Sequence, residues 1–144
     1  MDLDQIDQRP DIDFLIIADR AEAINGKLYL MGGAWEHISI ADPSQPITFS
    51  IAMGILIPWN ATNERHRMRL AVQDADGATV AELDGELVAG RPPHLAAGSA
   101  QRLLFATTFG AIVPHPGAFA VIAYLNEQEC RRTSFNVTVG PPHQ

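Results

Sequence analysis

The sequence predicts an all-β protein, an immunoglobulin-like antiparallel β-sandwich of about eight strands. Residues 47–57 alternate between two sets of side chains, a period of two that fits a strand and excludes an amphipathic helix. Short apolar runs rich in β-branched residues recur along the chain, and turn-forming residues separate them. No convincing helical periodicity competes with this pattern.

The first three strands are predicted from local signals. Residues 12–18 form an apolar, β-branched run typical of a strand covered on both faces. Asn25-Gly26 then predicts a turn, and residues 27–35 the second strand, in which Gly32-Gly33 indicates a bulge or a close backbone approach. Residues 47–57 form a half-buried third strand, which Pro58 ends because proline donates no hydrogen bond to a sheet.

Residues 65–73 and 78–84 predict a hairpin joined by residues 74–77. Its inward-facing side chains are His66, Met68, Leu70 and Val72. A four-residue loop sets Arg69 opposite Glu82 and Arg67 opposite Asp84, whereas a three-residue loop with a glycine bulge shifts the register by one residue. We favour the charge-matched register.

The remaining strands are predicted at 102–111, 118–125 and 131–139, after a long loop at 89–101 that is rich in proline and small residues. Residues 85–88 either continue the preceding strand or begin another. The pattern predicts one sandwich domain over residues 12–139, an N-terminal arm at 1–11 and a C-terminal tail at 140–144.

Composition restricts the partners and the compartment. The 144 residues are 47% hydrophobic and 19% charged, with a formal net charge of −7, and an acidic chain disfavours nucleic acid. The N-terminus lacks the pattern of a signal peptide, and no apolar run reaches the ~20 residues of a membrane-spanning helix. A single cysteine, Cys130, requires no oxidising compartment. We therefore expect a cytoplasmic protein that contacts neither nucleic acid nor membrane.

Three blocks of the sequence resemble a family of small bacterial domains of unknown function. They are Ala18-Asp19 through Gly26-Lys27-Leu28 to Gly32-Gly33-Ala34-Trp35, His66-Arg67-Met68-Arg69-Leu70 with Asp74-Ala75-Asp76-Gly77, and Pro116-Gly117-Ala118-Phe119 with Phe135-Asn136-Val137. The resemblance covers nearly the whole chain after residue 11. It implies a β-sandwich of bacterial, cytoplasmic origin, and it implies no activity or functional residue.

Two groups of residues have the chemistry of a metal site. Asp74 and Asp76 could offer hard oxygen ligands to calcium, but Asp-x-Asp-Gly is also an ordinary hairpin turn, which we favour. His94 and His115 lie in separate proline-rich loops, and unrelated surface histidines are the simpler interpretation. We predict no cofactor.

Other residues could bind a ligand or a partner. Trp59 and Asn60 follow the third strand, where a tryptophan either anchors a partner or sugar ring or closes the end of the core. Arg65 and Arg67 could bind an anion, although opposing carboxylates would make them a solvated face. Cys130 precedes Arg131-Arg132, whose charge would lower its pKa, but a partly buried structural cysteine is the more common case.

These observations predict a non-enzymatic interaction or structural protein that forms a homo-oligomer or binds another protein, since a sandwich leaves strand edges that accept partners. The alternative is a module that binds a small ligand, carbohydrate or calcium, with the loops at 58–65, 74–77 and 89–101. An enzyme would require His94 and His115 beside a carboxylate in a pocket.

Overall fold

A computed structural model describes residues 9–140 of the chain. Nine strands make up most of this part, and a single turn of 3₁₀ helix, Trp59–Ala61, follows the fourth. The strands are β1 Asp11–Ile24, β2 Lys27–Gly33, β3 His37–Ile40, β4 Ile47–Ile57, β5 Arg65–Asp74, β6 Thr79–Val88, β7 Gln101–Ala111, β8 Gly117–Leu125 and β9 Gln128–Val139. Within residues 9–140, no helix has the length and apolar character needed to cross a membrane.

The strands form two sheets that pack face to face. Sheet A has the order β2-β1-β4-β7 and is antiparallel, and sheet B has the order β3-β9-β8-β5-β6. Between them lies one continuous core, whose largest fully buried side chains include Phe49, Phe119 and Phe135. The predicted all-β sandwich is confirmed.

The structure has nine strands where about eight were predicted, and the strand that the prediction did not include is β3. It has only four residues, too few to show a period, and it pairs in parallel with the end of β9, from His37 opposite Asn136 to Ile40 opposite Val139. Sheet B is therefore mixed rather than purely antiparallel.

The strand at 47–57 has the predicted bounds, but it is buried on both faces rather than one. The face of β4 that points away from the core carries small residues, among them Ala52. Ala52 forms a second, smaller buried cluster with Ala18 and Ala21, and Leu28 and Ala106 pack against this cluster. β1 is also longer than predicted. We call its second half together with β2, residues 18–33, the β1–β2 hairpin. Both β1 and β2 contact β7, although β4 lies between β1 and β7 in the sheet order.

The register of β5 and β6 differs by two residues from the prediction. Arg69 lies opposite Asp84 and Arg67 opposite Glu86. A bulge at Val72/Gln73 accounts for one residue of the difference, and a turn one residue longer than predicted, with Gln73 opposite Thr79, accounts for the other. Because a shift of two residues preserves the face, the charged side chains still point outward, and Arg69 reaches Glu82 diagonally at 3.4 Å. Residues 85–88 continue β6.

The second strand ends at Gly33 rather than Trp35. Gly32 and Ala34 both have positive φ values, +61° and +64°, which break the extended backbone. A Cβ atom at Gly32 would meet the Asp19 carboxylate, which would have to move, and the positive φ also favours glycine there. The turn directs Trp35 toward the core, where it packs edge-on against Phe49 and Phe135.

Candidate functional site

The tryptophan at the end of β4 is held by an arginine from the 89–101 loop. The Arg91 guanidinium stacks on the Trp59 ring at 3.8 Å from its centroid, and it donates to the Trp59 carbonyl at 3.0 Å and to Thr62 Oγ1 at 2.7 Å. Asn60 beside it is exposed. Arg91 therefore covers one face of the Trp59 ring, and only the other face is open to a sugar or a partner.

The arginines of β5 lie on the outer face of sheet B among acidic side chains. Arg67 pairs with Glu127 at 2.9 Å, and both are exposed. Arg69 lies over the Tyr124 ring at 4.2 Å. Arg65 is exposed at the start of the strand. Interleaved charges of both signs make this face typical of a solvated surface, and exposed pairs of this kind contribute little to stability.

The turn between β5 and β6 is organised by the Asp74 carboxylate. Asp74 Oδ1 accepts hydrogen bonds from the backbone N–H groups of Asp76 at 3.0 Å and Ala78 at 2.9 Å. Asp74 Oδ2 lies 3.2 Å from His115 Nε2, and Asp76 is exposed. Both carboxylate oxygens of Asp74 are thus engaged in the turn. No group of three or more His, Cys, Asp or Glu side chains in residues 9–140 is arranged to hold a metal ion.

His115 joins the turns before β6 and β8 through both ring nitrogens. Nδ1 lies 2.9 Å from the Pro116 carbonyl, and Nε2 faces Asp74. Only the imidazolium can donate from both nitrogens, so first the Pro116 carbonyl and then the Asp74 carboxylate raise the pKa of His115 above its ordinary 6.5. His94 is exposed in the 89–101 loop, and no hydrogen bond or ring contact joins it to His115 in the described part of the chain.

We expect the stability of the domain to fall as the pH rises through the folded pKa of His115. A raised pKa in the folded state stabilises the fold fully below the unfolded value of 6.5, and this contribution disappears as the imidazolium is deprotonated. Melting temperatures at about pH 6 and about pH 8 measure the effect. His115→Gln should reduce the difference, and an unchanged pH dependence in that variant would contradict the assignment.

Cys130 is partly buried, and its pKa shifts opposite to the direction that the adjacent arginines alone would give. Partial burial is the main cause that raises the pKa of the Cys130 thiol. The neighbouring guanidinium groups point elsewhere: Arg131 Nε donates to the Ile12 carbonyl at 3.1 Å, and Arg132 pairs with Glu129. Desolvation therefore outweighs the positive charges close by in sequence.

We expect Cys130 to react slowly with a thiol reagent at neutral pH, because little thiolate is present. The rate with Ellman's reagent should be well below that of the same protein unfolded in denaturant, which serves as the matched control. Equal rates in the folded and unfolded protein would contradict this expectation.

An exposed apolar surface lies on the β1–β2 hairpin, away from all of these residues. Its members are Ile24, Tyr29, Leu30 and Met31, which are 46%, 55%, 39% and 70% exposed. Four of the seven large hydrophobic residues that are exposed in the described part of the chain thus fall within eight consecutive positions. Single exposed apolar residues are normal, but Ile24, Tyr29 and Met31 share one face of the hairpin, and such a group is typical of an interaction site.

The hairpin also presents a free strand edge. β2 pairs only with β1, from Ile24 opposite Lys27 to Ala18 opposite Gly33. The turn residues Asn25 and Gly26 have positive φ values of 51° and 73°, the type I′ geometry in which the flanking pair exchanges both backbone hydrogen bonds. Hydrogen-bonded and non-hydrogen-bonded residue pairs then alternate along the hairpin. The backbone N–H and C=O groups of Leu28 and Leu30 therefore point away from β1.

The other sheet edges differ from the β2 edge. The β6 edge carries Glu82, Asp84 and Glu86, and β3 is only four residues long. β7 is long and mostly apolar, but it contacts β6 of sheet B and the β1–β2 hairpin. Among the described edges, β2 combines free backbone groups with exposed apolar side chains.

A comparison with protein-family sequence profiles matches residues 13–138 to a family of unknown function, DUF6941. The chain belongs to the DUF6941 family. The match agrees with the predicted resemblance to an uncharacterised family, and it extends from within β1 to within β9 of the DUF6941 sandwich. Among curated proteins, none matches the chain. The DUF6941 match therefore gives the family and assigns no activity.

The β1–β2 hairpin was not among the candidate sites predicted from the sequence. The available signal was the run Leu28-Tyr29-Leu30-Met31, four consecutive apolar residues after a two-residue turn. A half-buried strand alternates apolar and polar residues, whereas this run is apolar on both faces. Such a run predicts either a fully covered strand or an interaction surface, and only its position at a sheet edge decides between them.

Proposed function

We propose that this protein is a non-enzymatic, protein-binding β-sandwich and that the β1–β2 hairpin is its binding surface. The observation that carries the proposal is the group of exposed apolar side chains, Ile24, Tyr29, Leu30 and Met31, beside the free edge of β2. A partner strand can add to such an edge through backbone hydrogen bonds, while the side chains give specificity.

The charges of the hairpin support the same function. Two acidic residues, Asp19 and Glu22, balance two basic residues, Arg20 and Lys27, so the hairpin is neutral in a chain whose net charge is −7. A neutral, apolar surface avoids the repulsion that an acidic partner would otherwise meet. The lone cysteine needs no oxidising environment, and we place this function in the cytoplasm as part of the proposal.

Quantitative affinity capture from an extract of the source cells tests the proposed function. The comparison is between the wild type and Met31→Lys, which puts a charge at the most exposed apolar position of the hairpin. Ile112→Lys is the matched control, since Ile112 is 58% exposed and lies outside the hairpin. We expect Met31→Lys to lose at least one partner that the wild type and the control retain. Identical partners for all three proteins would contradict the proposal.

A further inference from the structure

The inference rests on the proposed function and identifies the partner of the hairpin. We propose that β2 pairs with β2 of a second copy of this chain, antiparallel and about a twofold axis, so that two copies of sheet A become one continuous sheet. In an isologous contact of this kind the same surface meets itself, so the surface must be self-complementary.

The backbone geometry suits this pairing. Leu28 and Leu30 direct their N–H and C=O groups to the free edge, and strand pairing requires such an alternating row of donors and acceptors. The positive φ of Gly32 ends the regular edge, which limits the ladder to the five residues from Lys27 to Met31. Side chains then contribute on both faces, because Tyr29 and Met31 lie on one face of β2 and Leu28 and Leu30 on the other.

The charges select a second copy as the occupant. β2 has one charged residue, Lys27, at its first position, so antiparallel pairing with itself places the two lysines at opposite ends of the ladder. The outer neighbours on β1 are Arg20 opposite Met31 and Glu22 opposite Tyr29, one of each sign. By contrast, β6 paired with itself would bring Glu82, Asp84 and Glu86 against the same acidic residues.

The dimer also explains why apolar residues occupy this edge. Pairing covers part of the apolar surface that Tyr29, Leu30 and Met31 expose in the single chain. Ala18, Ala21 and Leu28 of the hairpin already pack with Ala52 of β4 and Ala106 of β7, which holds the hairpin in place before a partner arrives. A pre-organised edge loses less conformational entropy on binding.

Sedimentation equilibrium of the full chain over a range of concentrations tests the inference. We expect the wild type to reach twice the chain mass of 15.7 kDa. Leu30→Pro removes an edge N–H that makes no bond to β1, and an edge strand tolerates proline at such a position. We expect both Leu30→Pro and Met31→Lys to raise the dimer dissociation constant by at least about tenfold, while Ile112→Lys leaves it unchanged.

Two results would overturn the inference. One is a wild-type chain that stays monomeric up to its highest soluble concentration. The other is a dimer that persists in Leu30→Pro and Met31→Lys when far-UV circular dichroism shows both variants folded. A monomeric wild type that still loses a captured protein through Met31→Lys would refute the self-pairing and retain the proposed function, so the two failures are distinguishable.

Discussion

Replacing Phe135 by alanine is expected to lower the free energy of unfolding by about 3–5 kcal/mol. Phe135 lies at the centre of the sandwich, where its ring centroid is 5.7 Å from those of Trp35, Phe49 and Phe119. The ring is 1% exposed, so its removal leaves a cavity bounded by three aromatic rings that cannot collapse into it. Because domains are stable by only about 5–15 kcal/mol, this variant should be close to unfolding at physiological temperature.

Urea denaturation followed by far-UV circular dichroism measures this loss for the Phe135→Ala variant. Ile112→Ala is the matched control, because Ile112 is exposed and its truncation creates no cavity. A loss for Phe135→Ala no larger than that of the control would mean that the two sheets do not pack around this residue.

Replacing His66 by leucine is expected to cost about 2–3 kcal/mol, although leucine is similar in size and more apolar. His66 is buried and connects two loops: Nε2–H donates to the Ala61 carbonyl at 2.7 Å, and Nδ1 accepts from Asn126 Nδ2 at 3.1 Å. The same Asn126 accepts the backbone N–H of Arg67 through Oδ1 at 3.0 Å. Leucine would leave the Ala61 carbonyl and the Asn126 amide without their partner.

Thermal unfolding of His66→Leu is compared with that of His94→Leu. The comparison distinguishes the loss of this hydrogen-bond network from the general effect of losing a histidine. His94 is exposed, and we expect its substitution to change stability by less than about 0.5 kcal/mol. His66→Gln, which keeps a donor and an acceptor, should recover part of the loss. Equal stability of His66→Leu and the wild type would mean that the hydrogen bonds of His66 do not stabilise the fold.

The regular strands could be predicted from sequence because their signal is local. In β4, two-residue alternation over residues 47–57 gave the observed bounds, and in β5 the inward set of His66, Met68, Leu70 and Val72 is buried or lines the core as expected. β3 was missed because four residues show no period, and its pairing with β9 joins segments about a hundred positions apart. The register of β5 and β6 was missed because the turn is one residue longer than predicted and a bulge adds one further residue to the offset.

The candidate site was less predictable, because it depends on where the sheet ends. The run Leu28-Tyr29-Leu30-Met31 would be an ordinary buried strand if β2 lay inside the sheet, and the strand order that puts it at the edge is a property of the whole chain. The candidate residues predicted from the sequence are instead engaged in contacts with other side chains or within their own turns. Trp59 is stacked by Arg91, Arg67 is paired with Glu127, and Asp74 closes its turn.

Hydrogen–deuterium exchange of the Leu28 and Leu30 amides, resolved by NMR at several protein concentrations, tests the central claim most directly. Both N–H groups point away from β1, so only a partner strand can protect them. We predict that their exchange slows as the concentration rises and that Met31→Lys abolishes this dependence. Fast exchange of both amides at every concentration, with Tyr29 protected by its bond to Glu22, would contradict pairing at this edge.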